Sequence, residues 1–320
     1  MKLKAIITSV FLFVAISIFA QPSKGKDFSK VDEYVKNLGA LDTLNMGSIS
    51  EMVTKPFSDK IDKIRAIYVW IALNISYDLK AAKAGIDIDK VSSEEVLKKR
   101  MGHGLGYSTL FQDMCSSANI RCLTVDGFVK NNSEEIGENG QEINHSWAVV
   151  QLGQSPEDWF YFDPAWGSGT TDAEMKNFTK HFSDAYFFAD KMIFNLQHYP
   201  DNEAWKLGPA PKSKKGFFEE PIINVAAYTF GLKKFSPEIG KVHASAESAV
   251  AFKFEIESAN YINTIELRFG KAKKQVIKEV PFTFSKGTLS FSYKFPLEGD
   301  YPVTILVNDK ELITYHIDIE

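Results

Sequence analysis

The sequence predicts an α+β domain followed by an all-β domain. Between about residues 58 and 166, apolar residues recur first at helical spacing and then in strand-like alternation. After residue 216 the helical spacing stops, and short alternating strands fill the rest of the 320-residue chain. That length accommodates two domains of ordinary size.

The chain opens on Lys2 and Lys4, the apolar run Ala5 to Phe19, and Ala20-Gln21. A basic start, an apolar stretch and a small residue at its end predict an export signal over residues 1–20. The apolar run is shorter than the roughly 20 residues a spanning helix needs. Ile18 is bulky for the −3 position, which leaves an uncleaved anchor open. The mature chain is expected to begin near Gln21 and to be periplasmic, cell-surface or secreted, with no membrane span. Residues 21–55 read as a helical lead-in to a domain over 56–208.

Within that domain, Ile61, Ile64, Ile67, Tyr68 and Ile71 share one helical face, with Ser58 placed to cap it. The stretch from Asn74 to Asp87 reads as a polar loop, and "SSEEVLKKR" as a second short helix. A third helix follows a glycine-broken turn, Gly102-His103-Gly104-Leu105-Gly106. Its buried face carries Tyr107, Leu110, Phe111, Met114 and Cys115. "IRCLTVDGFVK", "HSWAVVQL" and "DWFYFDPAW" read as strands. Residues 209–216 are rich in Pro, Gly and Lys and read as a linker. In 217–320, "AFKFEIE", "TLSFSYKF" and "LITYHIDI" alternate, and a hairpin turns at Asn308-Asp309. This pattern predicts an immunoglobulin-like sandwich.

Composition is 44% hydrophobic and 24% charged, which is globular, and the net charge of −4 gives no electrostatic case for nucleic acid. Cys115 and Cys122 are the only cysteines. They read as two buried side chains or an oxidisable pair, and no paired spacing supports a structural zinc site.

Three segments then stand in order: "RMGHGLGY", "NHSW" and "YFDPAWG". They resemble the transglutaminase-like superfamily of papain-like cysteine enzymes, and within it the kyphoscoliosis-peptidase branch. The matching residues are Arg100, Gly102, Gly106, Tyr107, Asn144, His145, Trp147, Asp163, Pro164, Trp166 and Gly167, within a likeness covering about residues 55 to 208. The resemblance implies a triad whose His145 is the proton acceptor and whose Asp163 holds the far ring nitrogen. Such enzymes seat a thiol at a helix N-terminus, where the dipole favours thiolate. The matching position here is Gly104. The expected function is therefore an exported pseudoenzyme that binds a peptide or protein through the former substrate cleft, lined by His103, Tyr107, Ser108, Asn144, Trp147 and Trp166.

Two enzymatic alternatives use Ser108 as a substitute nucleophile, or a metal on His103, His145 and Asp163. A third alternative is a structural interaction protein in which His145 and Asp163 are only a buried pair and Trp147 and Trp166 only packing. No metal or cofactor is expected. His181, His198, His243 and His316 receive no role.

Overall fold

The computed structural model describes residues 22–320, apart from 24, 85–90, 140–141, 173–174, 258–260 and 271–273. The expected export signal lies outside the described residues. Among the described residues, no helix is long and apolar enough to cross a membrane.

The first domain contains helices α1 (Ser29–Leu38), α2 (Met46–Thr54), α3 (Lys60–Asn74), α4 (Leu79–Ala84), α5 (Ser93–Lys99) and α6 (Gly104–Ser117). The short strands β1 (Ser76–Tyr77) and β2 (Met101–Gly102) pair in parallel. Strands β3 (Arg121–Phe128), β4 (His145–Gln151) and β5 (Trp159–Phe162) come next, then the pair β6 (Gly169–Thr171) and β7 (Phe178–Lys180). After helix α7 (Lys191–Gln197), strand β8 (Tyr199–Pro200) completes an antiparallel sheet in the order β5-β4-β3-β8.

Two local expectations are corrected. Asp59 caps α3, not Ser58; its carboxylate accepts from the backbone N–H of Ile61 and Asp62, which suits the positive end of a helix. The stretch after α3 is not all loop, because Asp78 accepts from Ala81 N at 2.9 Å and starts α4. Helix α3 is also enclosed far beyond one face, with every residue from Ile64 to Ala72 buried. The one charged side chain in that run, Arg65, pairs with Asp32 at 2.7 Å and with Asp184, and lies against Phe28, Phe182 and Phe187. Helix α6 buries the face read from the sequence against this core, including Tyr107, Phe111, Met114 and Cys115.

The second domain follows α8 (Lys214–Glu219) and includes α9 (Ala226–Phe230). Its strands are β9 (Ile222–Ile223), β10 (Leu232–Ser236), β11 (Lys241–Ala244), β12 (Val250–Ile256), β13 (Ile265–Phe269), β14 (Val276–Glu279), β15 (Thr283–Ser285), β16 (Thr288–Tyr293), β17 (Gly299–Val307) and β18 (Lys310–Ile319). One sheet runs β10-β12-β16-β15; the other runs β11-β18-β17-β13-β14, with β9 beside β18. Phe252, Phe254, Leu289, Ile305, Tyr315 and Ile317 fill the space between them. The β17–β18 hairpin turns at Asn308 and Asp309, both with positive φ (49° and 62°), the backbone a tight hairpin turn requires.

Ile193 of α7 belongs to the same apolar cluster as the sandwich. Through the segment read as linker, Asn195 Nδ2 donates to the Gly208 and Pro209 carbonyls at 3.2 and 3.0 Å. Just beyond it, Phe217 and Phe218 are buried with Phe128 and Tyr199.

Candidate functional site

Helix α5 ends on Arg100 in left-handed conformation (φ 52°), which turns the chain into β2 and then into α6. The Arg100 guanidinium donates to the Ala40 carbonyl and lies 5.2 Å from the Trp70 ring, which fastens the start of the turn. Tyr107 fixes the first turn of α6: its hydroxyl donates to the Ile75 carbonyl at 2.8 Å and accepts from Ser168 Oγ. His103 is the N-cap and makes no side-chain cap bond, so its side chain does not occupy the helix end.

Strand β4 lies between β3 and β5, and His145 is its first residue, opposite Gly127. Asn144 sets that start, since its amide both accepts from Val129 N and donates to Val129 O at 2.9 and 3.0 Å. Asp163 follows β5 directly. Its Oδ1 accepts from the backbone N–H of Ala165 and Trp166, at 3.0 and 2.9 Å, closing the Asp-Pro-Ala-Trp turn. Gly167 ends that turn, and a Cβ there would collide with the Tyr68 hydroxyl.

These elements bring His145 Nε2 to 2.7 Å from Asp163 Oδ2, with both side chains buried. The opposite ring nitrogen, Nδ1, faces α6. A Cβ built on Gly104 would stand 2.7 Å from it. The backbone thus places the head of α6, the imidazole and the carboxylate in the order a thiol–imidazole–carboxylate triad requires, with no side chain in the first place.

A second imidazole completes the cluster. His198 Nε2 lies 3.2 Å from the same Asp163 Oδ2, and its ring stacks on Phe194 at 3.9 Å. Burial would push the Asp163 carboxyl up, but His145 and His198 hold it well below the usual carboxylate range. Burial pushes the His198 imidazole down to about 4, against the pull of Asp163. Sequence reasoning gave His198 no role. It sits 35 residues beyond Asp163, and the only signal for it was its place within the likeness over about residues 55 to 208.

The other expected residues scatter around this centre. Trp147 is fully buried, with Nε1 unpartnered, and packs on Phe194 and His198. Trp166 is half-buried, 5.3 Å from the His145 ring and 4.5 Å from His198. Ser108 is buried and its hydroxyl donates to the Leu105 carbonyl on its own helix. His103 stands apart from the buried histidine–carboxylate group, which is His145, Asp163 and His198 among the described residues. Its Nδ1 is buried without a partner. A pocket of about 240 Å³ opens against the turn, lined by Gly102, His103, Gly106, Asp78, Lys99 and Met101 among others. Cys115 and Cys122 are both free thiols buried in the core, and burial beside Cys115 pushes the Cys122 thiol up.

A helix head aimed at a strand-borne histidine, with an aspartate from the next strand behind it, defines a papain-like, transglutaminase-like protein. Comparison with known proteins agrees: residues 47–164 match the family model described as the transglutaminase-like superfamily. Those residues form a domain of that superfamily, and the chain is similar to proteins of the kyphoscoliosis-peptidase branch. It is 26% identical over 318 residues to the kyphoscoliosis peptidase of Mus musculus, covering 90% of this chain and 47% of the relative. It is 28% identical over 261 residues to that of Homo sapiens, covering 78% and 39%. The Lim and transglutaminase domain protein ltd-1 of Caenorhabditis elegans is 24% identical, covering 64% and 29%. The chain thus spans less than half the length of these relatives. Among solved structures, the Lin-41 filamin domain aligns with 27% of this chain and 90% of its own, at 18% identity and a TM-score of 0.22.

Proposed function

We propose that this chain is an exported, catalytically silent transglutaminase-like protein that binds a peptide or protein segment beside the head of α6. The observation that carries the proposal is Gly104. It occupies the helix N-terminal place against His145 Nδ1 where the fold's chemistry needs a nucleophile, and it has no side chain. Neither cysteine substitutes: Cys115 lies 11 residues further along α6, about 16 Å at roughly 1.5 Å per residue, and Cys122 is buried on β3 opposite Val150, away from Gly127, which faces His145. Ser108 already bonds within its own helix. Export is motivated by residues 1–20 alone.

Binding is supported by the pocket against Gly102, His103 and Gly106, where Asp78 and Lys99 offer charge and Met101, 40% exposed, offers apolar surface. The test pairs two measurements on the full chain. Amine-incorporation and peptide-cleavage assays are expected to show no turnover sensitive to a thiol-directed inhibitor. Inhibitor-sensitive turnover that disappears in Cys115→Ala sinks the silent reading. Peptides captured from a displayed random library are expected to be lost on Met101→Arg.

One observation favours a second reading, a structural interaction protein with its partner on the sandwich. His145 is only 2% exposed and lies between Trp147 and Trp166, so the old centre is filled by its own side chains. Capture that survives Met101→Arg unchanged selects that reading.

A further inference from the structure

Asp163 Oδ2 faces two imidazole nitrogens, and His198 faces two acceptors. His198 Nε2 points at the carboxylate, and its Nδ1 lies 3.3 Å from the Phe194 carbonyl oxygen. A neutral imidazole carries one N–H, whereas a carboxylate oxygen and a carbonyl oxygen can only accept. A neutral His198 therefore leaves one ring nitrogen with its lone pair against an acceptor. The Asp163 charge is wholly buried as well, and among the described residues the contacts of its carboxylate are two backbone amides and two imidazoles, with no lysine or arginine. With both imidazoles neutral, that buried carboxylate has no cation beside it, which is expensive.

We propose that His145 Nε2, His198 Nε2 and Asp163 Oδ2 form a site for one divalent transition-metal cation of the zinc type. The three ligand atoms lie within 4.8 Å of one another. Two imidazoles and a carboxylate are a donor set that suits such an ion. The cation resolves both conflicts at once. It supplies the missing positive charge and takes the Nε2 lone pair of His198. That leaves Nδ1–H to donate to the Phe194 carbonyl, the outer-sphere bond metal-bound histidines commonly make.

Tetrahedral ligands at about 2.0–2.1 Å stand about 3.3 Å apart. The His198–Asp163 separation of 3.2 Å already fits, and the His145–Asp163 separation of 2.7 Å must widen. Widening moves the His145 ring toward α6, and the residue it approaches is Gly104, which has no side chain to block it. The proposal goes beyond the binding function and does not depend on it.

The experiment strips the full chain with a chelator and adds Co²⁺ alone as the probe. The expected result is one Co²⁺ per chain, with visible absorption bands, displaced by Zn²⁺. Asp163→Asn and His198→Gln are each expected to weaken uptake by at least about 100-fold, the upper end of what losing an outer-sphere partner costs. A second measurement needs no substitution: nitrogen NMR of the unsubstituted protein with Zn²⁺ is expected to find His198 protonated at Nδ1. Three results overturn the site: no stoichiometric Co²⁺ uptake, uptake undiminished in a folded His198→Gln chain, or a His198 that keeps its proton at Nε2 with Zn²⁺ present. The cluster is then a hydrogen-bonded histidine–aspartate–histidine set and nothing more.

Discussion

His145 Nδ1 lies 2.7 Å from the point where a Cβ on Gly104 would stand, closer than real Cβ atoms come to a non-bonded neighbour. The imidazole occupies room that a side chain at the head of α6 would need. On its far side Nε2 is fastened to Asp163, and Asp163 is fastened by the amides of its own turn. The pair is therefore held from behind and does not depend on a partner in front.

Gly104→Ala should destabilise the chain. The added methyl meets His145 Nδ1, and Cε1 and Ser146 N lie at 3.1 Å, so the ring must pivot about its bond to Asp163 and lose packing, or the helix must shift. Overpacking of this kind costs about 1–3 kcal/mol, whereas the helix-propensity gain of Gly to Ala is at most about 1 kcal/mol and less in a first turn. Urea unfolding is expected to show the loss, and to show it reduced when His145→Ala is also present. An unchanged or raised midpoint in Gly104→Ala alone contradicts the contact.

What the sequence revealed of this molecule follows from where its information is local. The α6 face, the Asn308-Asp309 hairpin and the alternating sandwich strands were legible because their periods repeat within ten residues or so. The turn leading into α6 was legible because Arg100, Gly102, Gly106 and Tyr107 mark it. His198 was not, because its partner Asp163 is reached only through the tertiary fold. The junction was opaque for a similar reason. A Pro-, Gly- and Lys-rich composition describes residues 209–216 well enough, yet the anchor is Phe217-Phe218 just beyond, buried against Phe128 and Tyr199. The Ser58 cap and the loop after α3 were lost to neighbouring aspartates, Asp59 and Asp78, which compete for the same backbone amides.

Lys130 at that junction should give stability a pH dependence. It is 6% exposed, with its ammonium 4.1 Å from the Phe217 ring and donating to the Phe217 carbonyl. Burial pushes Lys130 down, against the attraction of Glu220. Burial likewise pushes Glu220 up, against Lys130. In the unfolded chain lysine titrates near about 10.4. Between the lowered folded value and that one, the unfolded chain binds the extra proton, so stability rises with pH across the interval. Glu220 acts oppositely: its contribution is complete below about 4.3 and is lost as pH rises through its folded value. Lys130→Met should therefore flatten the rise in urea midpoint between about pH 7.5 and 9.5. Parallel traces for the two proteins would show that Lys130 is not the titrating group.

Placing a thiol at the head of α6 tests the proposed frame of the site directly. In Gly104→Cys the new side chain starts at a helix N-terminus and against His145, and both features stabilise thiolate. Its pKa is expected to fall from about 8.5 into the range of roughly 3.5–7.5. The added Cβ also forces the ring aside, and because Nε2 is bonded to Asp163 the movement is expected to be a pivot that keeps Nδ1 toward the sulfur. Alkylation by iodoacetamide near pH 6 should then outpace that of an ordinary exposed cysteine. The native thiols, Cys115 and Cys122, are buried and should contribute little to the rate. Adding His145→Ala should slow the reaction, because the imidazolium partner is gone while the helix dipole remains. Turnover of a peptide or amine substrate need not return, so alkylation is the readout. A folded Gly104→Cys chain whose thiol titrates like a free cysteine would contradict the assignment of Gly104 to the family's nucleophile position.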